Sequence, residues 1–182
     1  MAGKMEPIVP APSVQDGGPL LKDKWVFWYL IPSKGGQNAH WSEYLHPLHS
    51  FETIENFNRL LNSIERPQSL LKGCRYYVFR NGIKPLWEDP KVKDSKAVSI
   101  EIPKSQEYQQ TIHEKWTEIV SIMLEEGLGN EVSGSEYASR AETWKISCWV
   151  KNNQSAINNV VSNLSNLYPA LSTSIHVSDI GE

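Results

Sequence analysis

Trp87 and Glu88 place an aromatic plane and a carboxylate side by side in a loop, and this pair is well suited to bind a ligand. The loop opens with Asn81-Gly82, a strong turn signal. It also contains two prolines, so neither a helix nor a central strand passes through it. An indole beside a carboxylate on a stiff loop suits a flat cation that also donates hydrogen bonds. An alkylated guanine has both properties.

Trp41 supplies a second indole at the exit of a polar, glycine-rich loop. Two loop indoles that close on the faces of one base contribute ~1–3 kcal/mol of stacking per base. A positive charge on that base adds cation–π attraction of about 0.5–2 kcal/mol. Glu88 can accept hydrogen bonds from N1–H and the exocyclic amine of guanine, a donor pair that adenine lacks on that edge. These residues predict a site for N7-methylated guanine; burial of the tryptophans in a core is the competing interpretation.

No residue pattern supports catalysis or metal binding. His40, His46 and His49 have a spacing that fits no common zinc framework, and we interpret them as exposed loop histidines. The sequence has no phosphate-binding glycine-rich loop before a helix and no nucleophile-elbow motif. We therefore expect a binding protein without a cofactor or a metal, not an enzyme.

Length and charge favour a single soluble domain. The 182 residues suffice for one substantial core, and no apolar run approaches the roughly 20 residues that span a bilayer. The formal net charge of −3 argues against general RNA binding, although residues 66–104 hold nine basic and four acidic side chains. No secretion signal is recognisable, and Cys74 and Cys148 are expected to be reduced. We expect a monomer in the cytoplasm or nucleus, with no membrane attachment.

Hydrophobic periodicity predicts strands and helices behind a flexible tail at residues 1–20, in one domain over 21–182. The predicted strands are short aromatic or β-branched runs at 24–31, 74–79, 97–102, 144–150 and 172–177. The predicted helices have an apolar stripe at helical spacing, at 51–64, 106–126 and 156–168. Because several strands follow one another without a helix between them, we predict an antiparallel sheet with helices on one face and the ligand on the other.

At these residues the chain resembles the eukaryotic translation initiation factor 4E family, whose members bind the 7-methylguanosine cap of mRNA. The resemblance runs from about Leu21 to the C-terminus and is densest in KWVFWYL, in Trp41 to Phe51 and in GCRYYVFRNGIKPLWEDPK. It implies an α+β fold with a single curved antiparallel sheet of about eight strands. Three helices back the convex face of that sheet, and the cap lies on the concave face.

The resemblance implies how the base is held. Trp41 and Trp87 stand where the indoles of the family sandwich the methylated guanine, and Glu88 stands on the carboxylate that reads the N1 and N2 edge. Trp149 matches the tryptophan that packs against the N7-methyl group.

Phosphate recognition departs from the family pattern. Arg140 and Lys145 match two of the basic residues that hold the triphosphate bridge, but Glu142 stands where a third basic residue is expected and Ala97 replaces a nearby arginine. Arg75, on the strand before the ligand loop, is a hypothetical replacement. The chain has few residues after its last predicted strand, so the C-terminal loop of the family is expected to be shortened or missing.

The partner-binding helices also depart from the pattern. The first helix of the family normally carries a tryptophan that docks peptides of the Tyr-x-x-x-x-Leu-Φ type, where Φ is hydrophobic, and this chain has Asn58 there. Loss of an apolar platform of this kind weakens an interface strongly. The predicted partner-binding residues are Leu20, Leu21, Ile54, Asn58, Thr117, Glu118 and Ser121.

Two functional hypotheses follow. In the first, the protein binds capped mRNA during translation initiation, with a scaffold or regulatory protein on its helices. In the alternative, it is a cap-linked translational repressor or interaction module that recruits a non-standard partner through the altered first helix.

Overall fold

The computed structural model describes residues 18–32 and 41–181, and the strands in these ranges form one antiparallel sheet. They are β1 (Trp25–Leu30), β2 (Leu45–Phe51), β3 (Arg75–Arg80), β4 (Ser95–Pro103), β5 (Val132–Ser139), β6 (Thr143–Lys151) and β7 (Ile175–Asp179). Their order across the sheet is β2-β1-β3-β5-β6-β4-β7. The predicted fold class is confirmed, with seven strands in the described ranges where about eight were expected. Most of the predicted tail, residues 1–17, lies outside those ranges.

The helices within the described ranges are α1 (Ile54–Asn62), α2 (Gln106–Gln109), α3 (Ile112–Leu124) and α4 (Gln154–Leu167). The prediction of one continuous helix over 106–126 is wrong. At the break, the Thr111 N–H donates to the Tyr108 carbonyl at 3.1 Å, a tighter turn than an α-helix makes. The Thr111 hydroxyl also lies 2.7 Å from the hydroxyl of Tyr168. The other two predicted helices are confirmed, with small shifts at their ends.

Side-chain alternation gives the sheet two unlike faces. On β3, Tyr76 and Val78 point into the main core, which also contains the apolar sides of α1, α3 and α4. We call this side the helical face. Tyr77 and Phe79 point the other way into a smaller apolar cluster on the side that we call the open face. The same alternation on β6 sends Trp149 to the open face.

An aromatic cluster on the helical face joins two helices to the sheet. The Phe27 ring lies 6.1 Å from Trp116 at 74° and 6.5 Å from Phe57. Phe57 and Trp116, from α1 and α3, are themselves 6.5 Å apart. Thr53 fixes the start of α1, because its hydroxyl accepts a hydrogen bond from the Asn56 N–H at 3.1 Å.

Two strands, β2 and β5, were not predicted. The histidine-rich β2 lies at one edge of the sheet, where Pro47 is tolerated. His46 and His49 are therefore exposed on a strand, not in a loop; His40 is outside the described residues. The described residues contain no group of three or more His, Cys, Asp or Glu side chains that could hold a metal ion. None of the helices in those residues is long and apolar enough to cross a membrane.

Candidate functional site

The loop after β3 holds Trp87 away from the core. Gly82 has a φ of +86°, as its turn requires. The Asp89 carboxylate then accepts hydrogen bonds from the Lys84 N–H at 2.8 Å and the Lys91 N–H at 2.9 Å. The Lys91 ammonium in turn donates to the Gly82 carbonyl at 2.7 Å. These bonds close the loop on itself and leave Trp87 61% exposed, so burial in the core is ruled out for this indole.

A hollow of about 320 Å³ opens beside Trp87 on the open face, and we call it the slot. The side chains that the argument below uses come from three strands and the Trp87 loop. They are Arg75, Trp87, Glu88, Glu136, Lys145 and Trp149. The structure therefore brings together four of the predicted cap-binding residues, from positions far apart in the sequence.

Trp149 forms a fixed apolar part of the slot. It is 7% exposed, and its ring stands perpendicular to Phe79 at 5.0 Å. Gly134 lies between these two residues in the sheet register. A Cβ on Gly134 would lie 2.3 Å from the Phe79 ring, which is closer than atoms in contact can be. Only glycine therefore leaves room for the phenyl ring over the strand at this position.

Glu136 is buried between two cations in the lining of the slot. Its side chain is 4% exposed, and its Oε1 lies 3.3 Å from both Arg75 and Lys145. In the sheet register Glu136 pairs with Tyr77 and Ser147, so both cations reach it diagonally. Burial, and then the Glu136 charge, raise the pKa of Tyr77 well above its usual value, which keeps that phenol protonated.

Sequence reasoning missed Glu136 because it missed β5. The stretch VSGSEYAS has small and polar residues in place of an apolar alternation, yet all eight of its residues are buried. An acidic residue between Ser135 and Tyr137, in a stretch between two predicted elements, was the available signal.

The two predicted phosphate-binding residues lie in different settings. Lys145 lines the slot and is 8% exposed. Arg140 lies at the β5–β6 turn and donates to Glu101 at 2.8 Å; the Thr143 hydroxyl donates to the same carboxylate at 2.7 Å. Arg140 does not contribute to the slot lining among the described residues.

The end of β7 and the two residues after it form another wall of the slot. Ile180 packs against the open-face cluster, and Asp179 pairs with Lys96 on β4. A Cβ on Gly181 would lie 3.1 Å from Cγ of Trp87, so the backbone of this segment packs directly on the indole. No sequence pattern indicated this contact.

Trp41 begins a short 3₁₀ turn, Trp41–Tyr44, that leads into β2. Its side chain lies outside what the structure describes, so the pairing of its indole with Trp87 stays a prediction.

The predicted partner-binding residues lie on the helical face or at the start of the described chain. Asn58 on α1 and Glu118 on α3 are exposed, and their neighbours Phe57 and Trp116 pack together inside. Leu20 is 57% exposed. The remaining residues, which are partly buried, are Leu21, Ile54, Thr117 and Ser121.

A model of the eukaryotic initiation factor 4E family matches residues 20–176. The chain is 29% identical over 150 residues to eukaryotic translation initiation factor 4E-1 of Zea mays, covering 82% of this chain and 67% of that protein. It is 31% identical over 140 residues to the Lactuca sativa protein of the same name, covering 75% and 57%. The chain thus spans less than two thirds of some of the curated relatives that it matches.

Solved structures with the same fold include complexes. The chain superposes on Ascaris suum eIF4E-3 with an m7G cap at a TM-score of 0.78 and 25% identity, covering 90% of this chain and 92% of that one. It superposes on C. elegans eIF4E-3 with the 4E-binding protein Mextli at 0.77 and 25% identity, covering 88% and 93%.

Proposed function

Because this chain belongs to the eukaryotic initiation factor 4E family, we propose that it binds the 7-methylguanosine cap of mRNA in the slot. It acts in translation initiation in the cytoplasm, as a binding protein without a catalytic step. The observation that carries this proposal is the exposed Trp87–Glu88 pair on a hydrogen-bonded loop, above a slot that contains Trp149 and Lys145.

Recognition of the base follows from this arrangement. The methylated guanine stacks on Trp87, with Trp41 closing the second face, and its positive charge gains ~0.5–2 kcal/mol from the indoles. Glu88 accepts hydrogen bonds from N1–H and the exocyclic amine. A hydrogen bond to a charged acceptor is worth about 1.5–3 kcal/mol. Trp149, held against Phe79, receives the N7-methyl group.

Phosphate recognition centres on Lys145, which lies inside the slot. Arg140 contributes from the β5–β6 turn after it exchanges the Glu101 carboxylate for a phosphate oxygen. Arg75, which also lines the slot, provides further positive charge on the same face.

The proposal is tested by calorimetric titration of the full chain with 7-methyl-GTP and with GTP. We expect 7-methyl-GTP to bind at least about tenfold more tightly than GTP, because only the methylated guanine is positively charged and gains the cation–π attraction of the indoles. Trp87→Ala and Glu88→Gln should each weaken 7-methyl-GTP binding by about ten- to hundredfold.

Two matched controls accompany these variants. Trp87→Phe retains an aromatic face and should lose less affinity than Trp87→Ala. Glu125→Gln removes a charge at the exposed end of α3 and should leave the affinity unchanged. Equal affinity for GTP and 7-methyl-GTP, or unchanged binding by Trp87→Ala and Glu88→Gln, would refute the proposal.

The second candidate function is a cap-linked repressor or interaction module. The exposed Asn58 on α1 favours it, because an amide stands at the position where a large apolar side chain would dock a standard peptide. In this case a regulatory protein of different chemistry binds the helical face while the slot still holds the cap.

A further inference from the structure

Glu136 places a buried negative charge between the two cations of the slot lining. Among the described residues, the lining holds the carboxylates Glu88, Glu136 and Asp179 and the cations Arg75 and Lys145. Asp179 pairs with Lys96 outside the lining, which leaves two carboxylates against two cations. A site built for a polyphosphate would carry an excess of positive charge. This lining carries no such excess.

The position of Glu136 makes its effect local. Its Oε1 lies 3.3 Å from Arg75 and 3.3 Å from Lys145, and its side chain is 4% exposed. A phosphate oxygen that approaches either cation therefore also approaches this carboxylate, with little water between them to screen the repulsion. Each cation must also weaken an existing ion pair in order to bind the phosphate.

We propose that Glu136 is a specificity-determining residue that makes the slot select the methylated base and nearly ignore the length of the phosphate chain. The inference rests on the cap-binding function proposed above. Its ligand class is the 7-methylguanosine nucleotide with one, two or three phosphates, bound with similar affinity. The ion pair between Arg140 and Glu101, at 2.8 Å, also reduces the gain from added phosphates, because Arg140 must leave Glu101 before it can bind a phosphate.

Calorimetric titration of the full chain with 7-methyl-GMP, 7-methyl-GDP and 7-methyl-GTP tests this inference. In the wild-type protein we expect the triphosphate to bind less than about tenfold more tightly than the monophosphate. Glu136→Gln retains the size of the side chain and replaces the carboxylate beside Arg75 and Lys145 with a neutral amide. It should raise the triphosphate-to-monophosphate preference by about tenfold or more. Glu125→Gln, with the same charge change far from the slot, should leave the preference at the wild-type value.

Each result has a defined meaning. If the wild-type protein prefers the triphosphate over the monophosphate by more than about tenfold, the inference is overturned. This measurement uses only the wild-type protein, so it does not depend on whether a variant folds. An unchanged preference in folded Glu136→Gln overturns it as well. Either result leaves the cap proposal intact, because the base is still bound. Failure of the wild-type protein to bind any of the three nucleotides instead refutes the proposed function.

Discussion

Two adjacent carboxylates in the loop after β3 have different surroundings. Glu88 is exposed and lines the slot. Asp89 turns inward and accepts hydrogen bonds from the backbone N–H groups of Lys84 and Lys91. The sequence shows that the two carboxylates are adjacent, but it does not show which one lines the slot and which one bonds to the loop backbone. That depends on how the loop folds around its two prolines. Glu88 is therefore the residue that we assign to base recognition, and Asp89 positions the loop.

Substitution of Asp89 should separate positioning from recognition. We expect Asp89→Ala to weaken 7-methyl-GTP binding by about three- to tenfold, because the loop must then be ordered when the ligand binds. The wild-type preference for 7-methyl-GTP over 7-methyl-ITP, which lacks the exocyclic amine, should persist, since Glu88 is unchanged. Glu88→Gln should reduce that preference. Loss of the preference in Asp89→Ala would contradict the division of tasks.

At the scale of the element, β5 shows why the sheet tolerates a glycine in its centre. Gly134 pairs with Phe79 on one side and Trp149 on the other, and the two rings meet across it. A methyl group there would meet the Phe79 ring at 2.3 Å and the Val78 carbonyl at 2.6 Å. The strand thus fixes the part of the slot that contains Trp149.

Gly134→Ala should consequently destabilise the fold by about 1–3 kcal/mol, the usual cost of an overpacked core. Chemical denaturation measures this change as a lower free energy of unfolding. Phe79→Leu in the same background should recover part of the loss, because a smaller side chain makes room for the methyl group. If the stability of Gly134→Ala equals that of the wild type, the close contact between β5 and Phe79 is wrong.

Sequence patterns predicted the elements whose own residues show an apolar run or an apolar stripe. Strand β1, with its run of aromatic and β-branched residues, and the amphipathic α4 were both predicted. The strand β5 was missed because its residues are mostly small and polar and do not alternate. They are buried because β5 lies between β3 and β6 in the sheet. Trp87 and Glu88 were predicted from local context, whereas Glu136 acquires its role only through diagonal contacts across three strands.

At the scale of the whole molecule, the sheet separates the two proposed binding surfaces. The slot lies on the open face, and Asn58 lies on α1, which packs through Phe57 into the core of the helical face. Tyr76 and Tyr77, adjacent on β3, point into opposite clusters. Substitutions on the surface of one face should therefore leave binding at the other unchanged.

Asn58→Trp tests this separation together with the partner hypothesis. An indole at this exposed position restores an apolar platform, and we expect it to strengthen binding of a Tyr-x-x-x-x-Leu-Φ peptide by about tenfold or more, as a dominant interface residue does. Affinity for 7-methyl-GTP should stay within about twofold of the wild type, since the core lies between the two surfaces. Calorimetry with each ligand measures both effects.

Asn158→Trp, which places an exposed indole on α4, controls for non-specific attraction between the peptide and an added tryptophan. It should give no gain in peptide affinity. An equal gain from both variants would show that the α1 position has no special role. Tight binding of the peptide by the wild-type chain would show that Asn58 does not weaken the standard contact, and it would remove the observation that favours a non-standard partner. A gain from Asn58→Trp alone places the peptide on α1 and makes the identity of residue 58 the feature that selects the partner.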